Sequence, residues 1–335
     1  MGASELNYSS DIDLICLFDD ARFEPADLAE VRAGFVRATR GMAALLSENT
    51  ADGYVFRTDL RLRPDPAVTP VCLSMEAAER YYESVGRTWE RAAYIKARAC
   101  AGDIAAGEAF LTRLTPFVWR RHLDYAAIQD AHDMRLKIRE HKLPGTGRKL
   151  EGLNLKLAPG GIREIEFFTQ TRQIIAGGRD PDLRHRGTVP ALAALAGKGW
   201  ADEAEVLTGD YRAHREVEHR VQMVADQQTH DLPGTPEGFD RLAAFMDRDV
   251  AALRTELTDR LGRVAQITEG FFAPGTRREA PDVSSAAAEI VARWPSYPAL
   301  RSARAAEIFE RVKPEILARL AAQHPGDVAA VMLTP

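Results

Sequence analysis

The chain has 335 residues, 45% of them hydrophobic and 28% charged, with a net charge of -5. That length suggests two domains and a further segment, and the composition is that of a soluble globular protein. The acidic balance argues against a general nucleic-acid binder, and without an apolar run of about 18 residues no membrane span is expected.

The N-terminus carries no basic segment followed by an apolar core, so no secretory signal is read there. Cys16, Cys72 and Cys100 show no CxxC spacing, and the plain expectation is a reduced, cytoplasmic protein.

The run Gly2-Ala3-Ser4-Glu5-Leu6-Asn7-Tyr8-Ser9-Ser10 is a small-residue turn leading into Asp11-Ile12-Asp13-Leu14-Ile15. A strand over 11–18 is predicted. Alternation puts Asp11 and Asp13 on one face with Cα atoms roughly 6.5–7 Å apart, close enough for two hard ligands to converge on a divalent cation. A helix follows over 26–48, with Leu28, Val31, Phe35, Ala38, Met42 and Leu45 at helical spacing.

A strictly alternating strand is predicted over 54–63, ended by Pro64 and Pro66. Arg57, Asp59, Arg61 and Arg63 share one of its faces. A short strand over 71–73 and helices over 75–85 and 89–98 complete an α/β unit near residue 102. Lys96 and Arg98 read as surface residues, with reach to a nucleotide the alternative.

Beyond it the pattern is helical: 104–115, 118–141, 161–177, 188–197, 202–226, 236–246 and 248–271, with a loop over 144–150. Residues 273–281 read as a linker, followed by helices near 284–293 and 302–323. Three domains are therefore expected, over 1–102, 103–272 and 273–335.

Metal-dependent nucleotidyl transfer needs carboxylates for cations, positive groups for phosphates and a tight turn that admits phosphate oxygen. Asp11 and Asp13 supply two carboxylates, and Asp59 a third if its strand lies alongside. Gly2 and Ser4 suit the turn, and a Ser9 or Ser10 hydroxyl suits a phosphate oxygen. A solvated strand edge is the plain alternative for the Asp pair, and a salt-bridged surface strand for the arginines. Glu164 and Glu166 lie near the first turn of a helix, where the dipole is a sufficient reason for them and a role facing the catalytic site is the alternative. Arg120 and Arg121 read as solvated. His214 and His219 are five apart, on different helix faces, which argues against zinc.

The Ser-Ser-Asp-Ile-Asp run resembles the catalytic motif of polymerase-β-like nucleotidyltransferases. Together with Tyr54 to Pro64, Trp89 to Arg98, Phe117 to Tyr125 and Lys156 to Phe167, it is similar more closely to the glutamine synthetase adenylyltransferase/adenylyl-removase family. The resemblance runs from residue 2 to about 270 and is nearer that family's N-terminal, adenylyl-removing half. It implies an α+β fold: a nucleotidyltransferase core, lacking helices that precede the motif in the family, followed by a helical bundle. The chain therefore reads as a fragment.

The family usually has Gly-Gly where this chain has Gly2-Ala3. The resemblance implies Asp11, Asp13 and Asp59 as ligands of two Mg²⁺ ions, Arg61 and Arg63 as phosphate contacts, and ADP or ATP with phosphate as substrates. Implied partners are glutamine synthetase and the PII signal protein. The implied reaction is phosphorolytic removal of AMP from glutamine synthetase. Adenylyl transfer from ATP is the alternative, uridylylation of PII a remote one, and an inert docking module the non-enzymatic one.

Overall fold

The structure is a computed structural model, and it describes residues 2–120 and 149–272. The expected helix over 118–141 lies almost wholly outside these residues. So do Arg121, nearly all of the 144–150 loop, the linker and the two helices beyond it.

The described chain is mostly helical, with two small parallel sheets, an α+β architecture. In place of one strand over 11–18 there are two. Strand β1 (Ile12–Asp13) pairs with β3 (Thr58–Asp59), and β2 (Cys16–Phe18) pairs with β4 (Cys72–Ser74). The break at Leu14–Ile15 lets one extended segment serve two partners. Helix α1 (Leu28–Ser47) separates β2 from β3. Phe35 of α1 stacks on Phe18 at 5.1 Å between ring centroids. Much of α1 remains open, with Thr39 its one buried residue.

The strand expected over 54–63 shrinks to two residues. Val55 and Phe56 donate their N–H groups to the Leu46 carbonyl at the end of α1, so they are taken by a helix terminus rather than a sheet. Beyond Asp59 the chain turns, and Arg63 donates to the carbonyls of Leu60, Pro66 and Thr69, which fixes the Pro-rich loop.

Helices α2 (Met75–Ser84), α3 (Thr88–Ile95), α4 (Ile104–Arg113) and α5 (Thr115–Val118) follow. Ser74 and Asp103 accept from the backbone N–H groups of Ala77 and Ala106, capping α2 and α4. Tyr82, Tyr94, Phe110, Leu114 and Phe117 form the core among these helices, with Ile15 and Leu17 packed against it.

The remaining elements are α6 (Ile162–Ala176), α7 (Thr188–Gly197), α8 (Ala204–Ala225), α9 (Pro236–Phe245) and α10 (Val250–Phe272). Helix α6 packs on α7 and α8, and also on α3 of the first part. The described residues up to Phe271 fall in one unit. Gly160 precedes α6 with φ +79°, and a Cβ there would sit 1.8 Å from the Leu261 carbonyl oxygen, so α10 crosses directly over this backbone. Glu164 accepts from the Gly160 N–H and from Thr268 Oγ1, both at 2.9 Å. These bonds cap α6 and tie it to α10.

His214 on α8 is 0% exposed. Burial, reinforced by Arg260 and opposed by Asp210, lowers its pKa to about 4. The zinc reading is not needed for a histidine held neutral in a helical core. An unfolded histidine protonates near pH 6.5, so below that the unfolded state binds the extra proton. Stability is thus full above pH 6.5 and is lost as pH falls towards 4, by up to roughly 3 kcal/mol. His214→Leu should flatten that slope, as measured by urea denaturation midpoints between pH 4 and 7.

Candidate active site

The parallel pairing of β1 with β3 puts Asp13 opposite Asp59 in register. Their Cα atoms are therefore about one strand spacing, roughly 4.8 Å, apart. Two backbone bonds at 2.8 Å, Ile12 N–H to the Arg57 carbonyl and Leu14 N–H to the Asp59 carbonyl, hold that register. Asp11 lies two residues before Asp13 on the same chain. Asp13 and Asp59 thus face each other across the two strands, and Asp11 lies one residue before β1.

Their electrostatics differ. Crowding by protein raises the Asp13 pKa, as does repulsion from Asp59 and then Asp11, while Lys156 pulls the other way. Asp59 is held below the usual carboxylate range, chiefly by hydrogen bonds from the Arg61 guanidinium. Arg61 Nε lies 3.0 and 2.9 Å from the two Asp59 oxygens, and Nη2 also donates. The Arg61 side chain is 81% exposed and that of Asp59 14%, so the clamp sits at the surface.

Asp11 accepts from Arg57 Nε at 3.0 Å. The same guanidinium donates to Ser9 Oγ at 3.0 Å and to the Tyr54 hydroxyl. Among the described residues no three His, Cys, Asp or Glu side chains stand close enough together to hold a metal ion. Two arginines, Arg57 and Arg61, neutralise two of the three aspartates instead.

The turn residues are placed as follows. Ser4 is exposed and has φ 58°, the left-handed region, so the strained position is Ser4 rather than Gly2 or Ala3. Gly2 is required for another reason: a Cβ there would lie 2.0 Å from the Lys96 carbonyl oxygen. Ser10 Oγ donates to the Asp11 carbonyl at 3.0 Å. Arg63 lies near enough to Asp59 to lower its pKa, but its guanidinium is occupied by the loop carbonyls.

Sequence reading missed the groups behind the turn. Lys96 is not a surface residue: its Nζ lies 2.7 Å from Glu5 Oε2 and 3.1 Å from Glu166 Oε1. Burial alone would lower Lys96, but Glu166 and Glu5 outweigh it and raise its pKa. Burial likewise opposes ionisation of Glu166, and Lys96, Arg163 and Lys156 together bring its pKa below the usual range. No spacing could have shown this, because Lys96 and Glu5 are 91 residues apart. Lys156 acts on both Asp13 and Glu166, and the only sign of it was its place in the Lys156–Phe167 stretch.

Removing the Asp59 charge should return Asp13 towards its ordinary value. A ¹³C-NMR titration of the Asp13 carboxyl in Asp59→Asn should show a lowered pKa, and an unchanged one would mean that repulsion is not felt there.

Known proteins give the context of this geometry. A family profile described as glutamate-ammonia ligase adenylyltransferase matches residues 1–113, and one described as GlnD PII-uridylyltransferase matches residues 132–272. The chain is 53% identical over 277 residues, 81% of its length, to a bifunctional glutamine synthetase adenylyltransferase/adenylyl-removing enzyme of Bradyrhizobium sp. strain BTAi1. Proteins of the same name match from Rhodopseudomonas palustris strain TIE-1, at 54% identity over 74% of the chain, and Mesorhizobium japonicum, at 49% over 87%. The chain spans 28% of the Bradyrhizobium relative, 25% of the Rhodopseudomonas one and 29% of the Mesorhizobium one. With about half its residues identical across most of its length, the chain belongs to the glutamine synthetase adenylyltransferase/adenylyl-removing family.

Proposed function

We propose that this chain is a nucleotidyltransferase catalytic region that removes AMP from adenylylated glutamine synthetase. Residues 1–102 act as a polymerase-β-like core and 103–272 as its helical partner. The observation that carries the reading is the in-register pair Asp13 and Asp59, with Asp11 beside them, at the mouth of a tight turn. Glutamine synthetase as the protein substrate comes from the names of the relatives. PII fits as a signalling partner, a reading prompted by the second profile.

The donor set is all carboxylate oxygen, which suits a hard divalent cation such as Mg²⁺. Burial raises Asp13 most, and the repulsion from Asp59 and Asp11 that adds to it is what such a cation relieves. Asp59 becomes available by releasing Arg61, whose own side chain is largely exposed. Asp11, Asp13 and Asp59 would hold two such ions, which when bound stabilise charge on the attacking and leaving oxygens.

Arg61, once free of Asp59, is placed to meet the phosphate, while Arg57 keeps Asp11 oriented through Ser9 and Tyr54. Arg63 serves by shaping the loop that presents Arg61. Inorganic phosphate is already an anion, so the attack needs no protein base. A bond forms from a phosphate oxygen to the AMP phosphorus as the bond to the tyrosyl oxygen breaks, giving ADP and unmodified tyrosine.

The test is to incubate the chain with adenylylated glutamine synthetase, phosphate and Mg²⁺, and in parallel with unmodified glutamine synthetase and ATP. Release of ADP in the first arm, reduced at least ~100-fold by Asp11→Asn, is the expected result. Turnover in the second arm alone would reverse the direction. Activity untouched by Asp11→Asn would remove the carboxylates from the mechanism.

A further inference from the structure

The turn that precedes the carboxylates is anchored almost wholly by elements distant in sequence. Glu5, immediately after the strained Ser4, is the most heavily engaged residue in it. Its Oε1 accepts from the Thr188 backbone N–H, at the start of α7, at 2.6 Å. Its Oε2 accepts from Thr188 Oγ1 at 3.2 Å and from Lys96 Nζ at 2.7 Å. Its backbone carbonyl accepts from Arg215 of α8 at 2.6 Å. Further along, the Ser9 N–H donates to Gln222 of α8 at 2.9 Å, and Gln222 is fully buried.

Lys96 acts on the turn twice, since its carbonyl lies against Gly2 while its Nζ binds Glu5. Lys96 Nζ also reaches Thr188 Oγ1 at 3.2 Å and Glu166 at 3.1 Å. The four partners of Glu5 thus come from α3's end, α7 and α8, and all are hydrogen-bond donors. A left-handed serine on an exposed turn persists only where its surroundings over-determine it. The bonds on Glu5 and Ser9 meet that condition on the C-terminal side of Ser4, and the close packing of Gly2 meets it on the other.

We infer that Glu5 is a positioning residue, through which helices α7 and α8 hold the turn over residues 2–10 in the shape that sets Asp11 and Asp13. It touches neither carboxylate, and it acts through the backbone that leads to them. This deepens the proposed function, because it makes the helical region part of the catalytic site. It can nevertheless be tested without turnover.

Glu5→Gln keeps the size of the side chain and removes its charge. Hydrogen exchange of the full chain should then quicken at least about tenfold over residues 2–13, while residues 16–18 and 72–74, in the other sheet, keep their rates. Mn²⁺, used as the probe cation, should bind roughly tenfold more weakly than to the parent chain. In the phosphorolysis assay kcat should fall while KM for the adenylylated protein holds. Glu5→Asp, which keeps the charge, should recover part of each effect.

Unchanged exchange over 2–13, or an increase spread uniformly over the chain, overturns the inference. If Glu5→Gln fails to fold, Thr188→Val removes one hydroxyl and leaves the backbone N–H on Glu5. It should quicken the same segment about threefold, and no change there is equally contrary. A parent chain inactive on adenylylated glutamine synthetase would fail the proposed reaction, while the exchange result would still decide the role of Glu5.

Discussion

The half-buried contact among Lys96, Glu5 and Glu166 is the constraint on which the rest of this structure rests. One ammonium serves two carboxylates from opposite parts of the chain, one in the N-terminal turn and one in helix α6. The side chains of Lys96 and Glu5 are only 25% and 19% exposed, so neither charge could be left alone there without a large desolvation cost. The cluster therefore specifies an arrangement more than it adds net stability. Moving α6 or the turn would leave an uncompensated charge inside.

The consequences reach the site by short steps. The Lys96 backbone presses on Gly2, and its side chain, with Thr188 and Arg215, fixes Glu5. Ser4 then takes a conformation that an L-residue rarely adopts. Ser9 is tied at once to Gln222 and to Arg57, and Arg57 in turn holds Asp11. Asp13 is left as the carboxylate raised by burial and then by repulsion, beside two aspartates that have guanidinium partners. A cluster of like charges held this way is poised for a counter-charge.

Much of this was legible in the sequence, and the limits are physical. Among the described residues, the helices from 75 onward fall within a few residues of expectation, because apolar residues at helical spacing mark them locally. Asp59 was expected beside the Asp pair only if its strand lay alongside, and the strands do pair with Asp13 opposite Asp59. The extent of the strand over 54–63 was not legible, because alternation records faces but not partners, and Val55 and Phe56 found the end of α1 instead. Arg61 was read as a phosphate contact, and in the structure it clamps Asp59. Lys96 and Glu5 carried no local signal, since their pairing exists only once two distant segments meet.

The central claim is that this ion cluster couples the turn to the helical region. A double-mutant cycle with Glu5→Gln and Lys96→Met, followed by urea denaturation, measures that coupling directly. The account predicts a coupling energy of about 2 kcal/mol between the two sites. Losses that simply add, to within about 0.5 kcal/mol, would contradict it.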